Sequence, residues 1–167
     1  VSDSNGAIEC TNTGDHHFYV PDAAGLSPSG DMSIVMWIRT RAEASYYLWG
    51  KYDVVGQRSF YARATWSTTY FYKIYLARTD DGSTMESEQP LYPNPGIWED
   101  LEWKHVAIVY THSNNEVQYY YNATTPTAAV DFDTETGNLY DGTSDLWPGG
   151  LTETLVSEVD LARISLW

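Results

Sequence analysis

Positive charge, cysteine and long apolar runs are all scarce in this 167-residue chain. Nine Lys and Arg stand against 23 Asp and Glu, a net charge of −14. Nucleic-acid binding needs basic surface to release counterions from phosphates, so no nucleic-acid partner is expected. An anionic membrane surface is disfavoured for the same reason. A single cysteine, Cys10, excludes an intrachain disulfide and a thiol metal cluster. Early in an apparent strand (Ala7–Cys10), it reads as a small core residue. No apolar run approaches the ~20 residues of a membrane span, and no membrane insertion is expected. There is no internal repeat and no low-complexity linker, and the length suits a single domain, residues 1–167. The sequence starts at Val1, without Met or a signal-like segment, and is expected to be excised from a larger protein.

Aromatic residues, by contrast, reach 15%, with 14 Tyr and 7 Trp. Such a chain folds, and its composition favours β structure or a face that stacks on flat ligands. Apolar residues recur with period two, and no stretch sustains a helical stripe. His16–Val20 reads as a short strand, and Ser33–Arg41 alternates Ile34, Met36 and Ile38 with Val35, Trp37 and Arg39. Gln57–Thr65 and Tyr70–Thr79 form a hairpin with its tip at Trp66–Thr69. Trp103–Tyr110 and Val117–Asn122 form a second, across Thr111–Asn115, and Val156–Leu166 closes the chain. Pro28–Gly30, Pro90–Gly96 and Pro148–Gly150 punctuate these runs. The spacing predicts an all-β fold, an antiparallel two-sheet β-sandwich or jelly roll.

Three segments resemble one superfamily. Phe18–Asp22 with Leu26–Arg39 is similar to the opening of laminin-G-like domains. Trp103-Lys104-His105-Val106-Ala107 with Val117–Asn122 resembles their central strand pair, and Val159-Asp160-Leu161-Ala162-Arg163-Ile164 their last strand. Asn122-Ala123-Thr124 stands where the family usually has an Asp-Gly turn; it is also a glycosylation sequon, meaningful only on a eukaryotic secretory route. The resemblance implies the concanavalin A-like lectin/glucanase jelly roll, shared with pentraxins, and it implies that Trp37 and Trp103 lie in the core. Some members hold a structural calcium near the first and last strands. The resemblance places such an ion at Asp160, with Glu9 as its partner, carbonyls completing the oxygen shell. The alternative for Asp160 is a solvated strand end. This fold hosts lectins, adhesion modules, glycosidases and lyases alike, so fold does not settle function.

Glycosidases need two carboxylates roughly 5–10 Å apart, and on a strand the same-face spacing is i, i+2. Glu86 and Glu88 meet it without a third acid. Trp98-Glu99-Asp100-Leu101-Glu102 lies beside Pro95-Gly96 and reads as a loop. Both sets are expected to be solvated acids. A lyase would gather Tyr, His, Arg and Gln; His105, Arg39, Tyr120 and Gln118 are of these types, and packing roles are expected for most of them. No catalytic set is therefore assigned.

A sugar-binding face needs exposed aromatic planes beside planar polar groups. Trp66 at the hairpin tip, Tyr70 and Tyr72 just beyond it, and Trp49, Tyr52 and Arg58 around the turn at 51–56 are the candidates, with Trp98 and Trp147 in Pro/Gly-rich loops. For each ring the alternative is packing against a neighbouring loop. The expected function is a non-enzymatic carbohydrate-binding or adhesion module, stacking on Trp66 and Tyr70 with polar contacts from Arg58, in an extracellular or virion-surface protein. Its partners would be a glycan or a protein surface. Two alternatives remain: a structural module assembled with other chains of a larger complex, whose interfaces favour Tyr and Trp, and a glycan-cleaving enzyme.

Overall fold

The computed structural model describes residues 8–10, 19–23, 25–26, 29–41, 44–53, 56–67, 71–88, 102–122, 128–151 and 159–166. They form strands β1 (Ile8–Cys10), β2 (Met32–Thr40), β3 (Tyr46–Lys51), β4 (Phe60–Ser67), β5 (Phe71–Arg78), β6 (Glu86–Glu88), β7 (Lys104–Thr111), β8 (Glu116–Tyr121), β9 (Val130–Asp131), β10 (Leu146–Pro148) and β11 (Val159–Leu166), with one 3-10 turn at His112–Asn114. A six-stranded sheet runs β1-β11-β2-β7-β8-β9 and a five-stranded sheet runs β10-β3-β4-β5-β6. Neighbouring strands in both are antiparallel, and the result is the expected β-sandwich.

Alternation drives the layering. On β2, Met32, Ile34, Met36, Ile38 and Thr40 are buried, while Ser33, Val35, Trp37 and Arg39 between them are half-buried on the outer face. Val106, Ile108 and Tyr110 of β7 and Val117, Tyr119 and Tyr121 of β8 extend this inner face; Tyr46, Leu48, Phe60, Ala62, Ala64, Ile74 and Leu76 supply the facing one. Burying a large apolar side chain stabilises by about 1.5–3 kcal/mol, which makes this layer the main source of stability. Tyr119 reaches across it, its hydroxyl accepting the Leu76 N–H at 2.8 Å.

The same alternation overturns one expectation. Trp37 pairs with His105 in the β2–β7 register, an outer-face row. Trp37 and Trp103 are half-buried outside the inner layer, and neither belongs to the core. Cys10 does lie there, fully buried.

Two bulges reset the pattern. On β11 the register shifts between Ala162 and Ser165, and Arg163 takes a left-handed φ of 50°. Before it Val159 and Leu161 point inward; after it Ile164 and Leu166 pack on the core. On β3 the shift between Tyr47 and Trp49 turns Trp49 and Lys51 inward beside Ala62 and Phe60, and Gly50 outward beside Tyr61. At the tight turn after β8, Asn122 adopts φ 49° and its Oδ1 accepts the His105 N–H at 3.0 Å. That side chain supports the left-handed turn for which an Asp-Gly pair is the usual solution.

One end of the sandwich is closed by charge. Lys51, Phe60 and Arg78 form an inward row across β3, β4 and β5, and all three are fully buried. Over this row runs the largely irregular segment 132–145. Arg78 donates to the carbonyls of Glu135 and Gly137 and to Asn115 Oδ1 (2.9 Å), and its guanidinium lies 5.0 Å from the Tyr110 ring centroid. Lys51 Nζ donates to the Gly142 carbonyl and pairs with Asp22 Oδ1 at 2.9 Å. Buried cations thus satisfy carbonyls that no neighbouring strand reaches. Arg78→Leu is expected to cost about 3–5 kcal/mol, the order found when one partner of a buried charged network is removed. At about 2–4 °C per kcal/mol for this size, the melting temperature falls by roughly 6–20 °C. The exposed Arg163→Gln, measured beside it, should change stability by less than about 0.5 kcal/mol.

Candidate functional site: a tyrosine and arginine face

The outer face of the five-stranded sheet carries the densest polar-aromatic grouping among the described residues. Tyr61, Arg63 and Thr65 alternate on β4 with the buried Phe60, Ala62 and Ala64. Arg63 pairs in register with Tyr47 on one side and Tyr75 on the other, so one row reads Tyr47–Arg63–Tyr75. The next row is Gly50–Tyr61–Ala77. A Cβ at Gly50 would stand 2.8 Å from Leu151 Cα, so only glycine admits the 149–151 turn against this edge.

Between its small neighbours, the Tyr61 ring meets three others edge-on, with centroids 5.6 Å from Tyr47, 5.7 Å from Tyr52 and 6.2 Å from Tyr75. Arg63 lies over Tyr47 (5.0 Å) and donates from Nη1 to Tyr75 Oη at 3.2 Å. Arg58 lies over Tyr52 (4.9 Å), its Nη1 held by the Ser83 carbonyl at 2.7 Å. All six side chains are half-buried. Burial, reinforced by Tyr75 and Tyr47, pushes the Tyr61 phenol up to about 12 against the pull of Arg63. Its hydroxyl therefore stays neutral and able to donate at any physiological pH. Rings with exposed edges, neutral hydroxyls and two guanidinium forks suit a flat polar ligand.

Tyr52 and Arg58 are the two sequence candidates brought together here. Trp49 is not: it is 4% exposed and lies in the core, because the β3 bulge turns it inward. Trp66 and Tyr72 pair at the far end of the β4–β5 ladder, their side chains outside the described residues; Tyr70 and Trp98 lie wholly outside them. Trp147, half-buried on β10, meets Tyr19 at 5.1 Å. Tyr47, Tyr61, Arg63 and Tyr75 escaped the sequence reading. The signal available was Tyr61-Ala62-Arg63-Ala64, in which large polar-aromatic residues alternate with alanine.

The opposite sheet uses its polar side chains on one another. Arg39 Nε donates to Asp160 Oδ2 at 2.7 Å and Arg41 Nε to Oδ1 at 3.0 Å. Arg39 also lies 5.0 Å from the Trp103 ring, and His105 packs on Trp37 at 5.4 Å. Tyr120 Oη donates to Gln118 Oε1 at 3.3 Å. Asp160, 2% exposed with both oxygens held by guanidinium groups, does not fit a calcium ion, which would sit among positive charges. Glu9 pairs with Asp160 in the strand register, its side chain outside the described residues. Among the described residues no three His, Cys, Asp or Glu groups gather to hold a metal.

Two of the candidate acids have structural work, while Glu99 and Asp100 lie outside the described residues. Glu86 is not a solvated acid: its carboxylate accepts the N–H groups of Asp133 (2.8 Å), Thr134 (3.0 Å) and Glu135 (2.7 Å). Glu88 lies on β6 with its side chain outside the described residues, and Glu102 pairs with Lys104 at 2.5 Å.

No protein-family model and no curated protein matches this chain. Solved structures do. Mouse laminin α1 domains LG4-5 superpose with a TM-score of 0.69 at 15% identity over 99% of this chain, which spans 42% of that one. The carbohydrate-binding module CBM40 of the Ruminococcus gnavus IT-sialidase, bound to α2,3 sialyllactose, gives 0.64 at 15% identity, covering 96% of this chain and 90% of that one. A heptameric pentraxin from Limulus polyphemus gives 0.60 at 11%, over 90% and 74%. The fold is the concanavalin A-like jelly roll. The sequence motifs had pointed there, and at these identities the likeness establishes the fold alone.

Glu86 also yields a pH prediction. Burial raises its carboxyl, the three N–H groups lower it more, and the net direction is down from 4.5. A depressed carboxyl stabilises the fold above its unfolded value and loses that contribution as pH falls through the folded one. Thermal melts from pH 6 to pH 3 should drop more steeply for the native protein than for Glu86→Gln. At pH 6 the variant should be less stable by about 1–2 kcal/mol, as for loss of a carboxylate that caps backbone N–H groups. Glu135, raised chiefly by burial, titrates in both proteins and largely cancels.

Proposed function

We propose that this domain is a non-enzymatic glycan-binding module of an extracellular or particle-surface protein, and that it seats a sugar on the Tyr47–Tyr52–Tyr61–Tyr75 face. The observation carrying this reading is the contiguous ring cluster with its two arginines, on a face not needed to close the core. A pyranose offers C–H faces to aromatic rings and hydroxyls to phenols and guanidinium groups. The sequence candidates Trp66 and Tyr72, at the end of the same two strands, would extend the face toward the hairpin tip. The bound sialyllactose of the CBM40 structure supports the class of ligand. Glu86, Glu102 and Arg39, three of the groups a glycosidase or lyase would use, are engaged in ion pairs and backbone bonds, which supports binding over cleavage.

Such open faces bury little area, so single-site affinity should be weak and strengthened by multivalency. A glycan array of the multimerised domain, run with calcium and again with a chelator, should show binding that survives the chelator. Tyr61→Ala and Tyr75→Ala, verified as folded, should each lower it by about 2- to 10-fold, the effect of losing one stacking ring. Silence across the array would refute the reading in favour of an assembly module. Cleaved products would favour the enzyme.

A further inference from the structure

We infer that the ligand of the tyrosine face is a linear oligosaccharide laid across the strands, with a second aromatic platform for it at Trp147 and Tyr19; this rests on the glycan reading above. The ladders set Trp147 opposite Gly50 and Gly50 opposite Tyr61, so Trp147 lies on the outer face in the row of the central tyrosine. The antiparallel bridge between Val20 and Leu146 continues that row. It brings Tyr19 beside Trp147, and the two rings meet at 5.1 Å with a tilt of 33°. One line across the sheet thus reads Tyr19–Trp147–Gly50–Tyr61.

An exposed ring is ordinary by itself. Tyr19, however, is 51% exposed and, with Val20, one of the two exposed large apolar side chains among the described residues. Its backbone is also held: Val20 and Leu146 exchange two hydrogen bonds, of 2.8 and 2.9 Å, and the Asp22 N–H donates to Asp145 Oδ1 at 3.0 Å. A ring carried on a fixed backbone loses little freedom when a sugar stacks on it. Between the two platforms lies Gly50 with Leu151 seated over it, the Leu151 Cα 2.8 Å from where a Cβ would stand. That ground carries no charge to desolvate. Two strand spacings separate Trp147 from Tyr61, about 10 Å, and the Val20 bridge extends the line to about 14 Å. A single pyranose cannot touch both platforms, whereas a chain of linked sugars can stack at each end. The face therefore selects its ligands by length.

The full chain, ¹⁵N-labelled, would be titrated with cello-, chito- and poly-N-acetyllactosamine oligosaccharides from disaccharide to hexasaccharide, the last series also in sialylated form. In at least one series affinity should rise about 2- to 10-fold from the disaccharide to the longer members, the gain from one further stacking ring. Those longer members should also shift the indole N–H resonance of Trp147. Tyr19→Ala, at an exposed position, and Trp147→Ala should each flatten the dependence on length, whereas Tyr61→Ala should weaken every member of the series. A series whose members all bind alike, or whose slope survives both variants, overturns the inference and leaves the glycan reading standing. Longer members that bind without moving the Trp147 resonance overturn it as well. Silence of every series beside a positive glycan array has the same meaning, and silence of both removes the glycan reading with it.

Discussion

Lys51 and Arg78 decide how this sandwich ends. Both point into the inner layer from the five-stranded sheet, on either side of Phe60, where a simple alternation would place apolar residues. Two unpaired charges there would be prohibitive. They are tolerated because segment 132–145 brings its carbonyls to them, and that segment is held in turn by Glu86 on its N–H groups and by Ser59 Oγ on the Tyr140 carbonyl at 2.6 Å. An irregular crossing that lacks a strand partner thus has its backbone groups satisfied by side chains. The same tie fixes β10 beside β3 and carries the 149–151 turn to the edge of the tyrosine face.

That arrangement leaves a division of labour between the two outer faces. On the six-stranded sheet, Asp160, Arg39, Arg41 and Trp103 satisfy one another, and His105 stacks on Trp37. On the five-stranded sheet, aromatic rings hold two guanidinium groups without neutralising them. A stacked arginine keeps its charge and loses conformational freedom, which is the preorganisation that a weak binding surface gains most from.

Much of the fold was legible because its strands keep strict alternation. Ser33–Arg41 and Trp103–Tyr110 read as strands from period two and fall within a residue of the observed Met32–Thr40 and Lys104–Thr111, and the Trp103–Ala107 and Val159–Ile164 motifs led to the right jelly roll. What escaped depended on register. Tyr46–Lys51 has large residues at every position but Gly50, so no period marks its bulge, and Trp49 was expected on the surface when it lies inside. Trp37 shows the converse: its face follows from its parity with Val35 and Arg39, and the motif placed it in the core against that parity. Short β9 and β10 carry too few residues for a pattern. At the site, Tyr52 and Arg58 were found by their nearness to a turn, whereas Tyr47, Arg63 and Tyr75 come from three strands and meet only through pairing. Asp160 was assigned to a cation on motif position, and two arginines distant in sequence occupy it.

The most direct test of the account is where a bound sugar lies. With ¹³C-labelled tyrosine rings and an unlabelled oligosaccharide drawn from the array, intermolecular NOEs should connect sugar C–H protons to Tyr61 and Tyr75, with Tyr47 and Tyr52 at the margin. A sugar whose NOEs bypass these four rings and fall instead on Tyr120, on the other sheet, would contradict it.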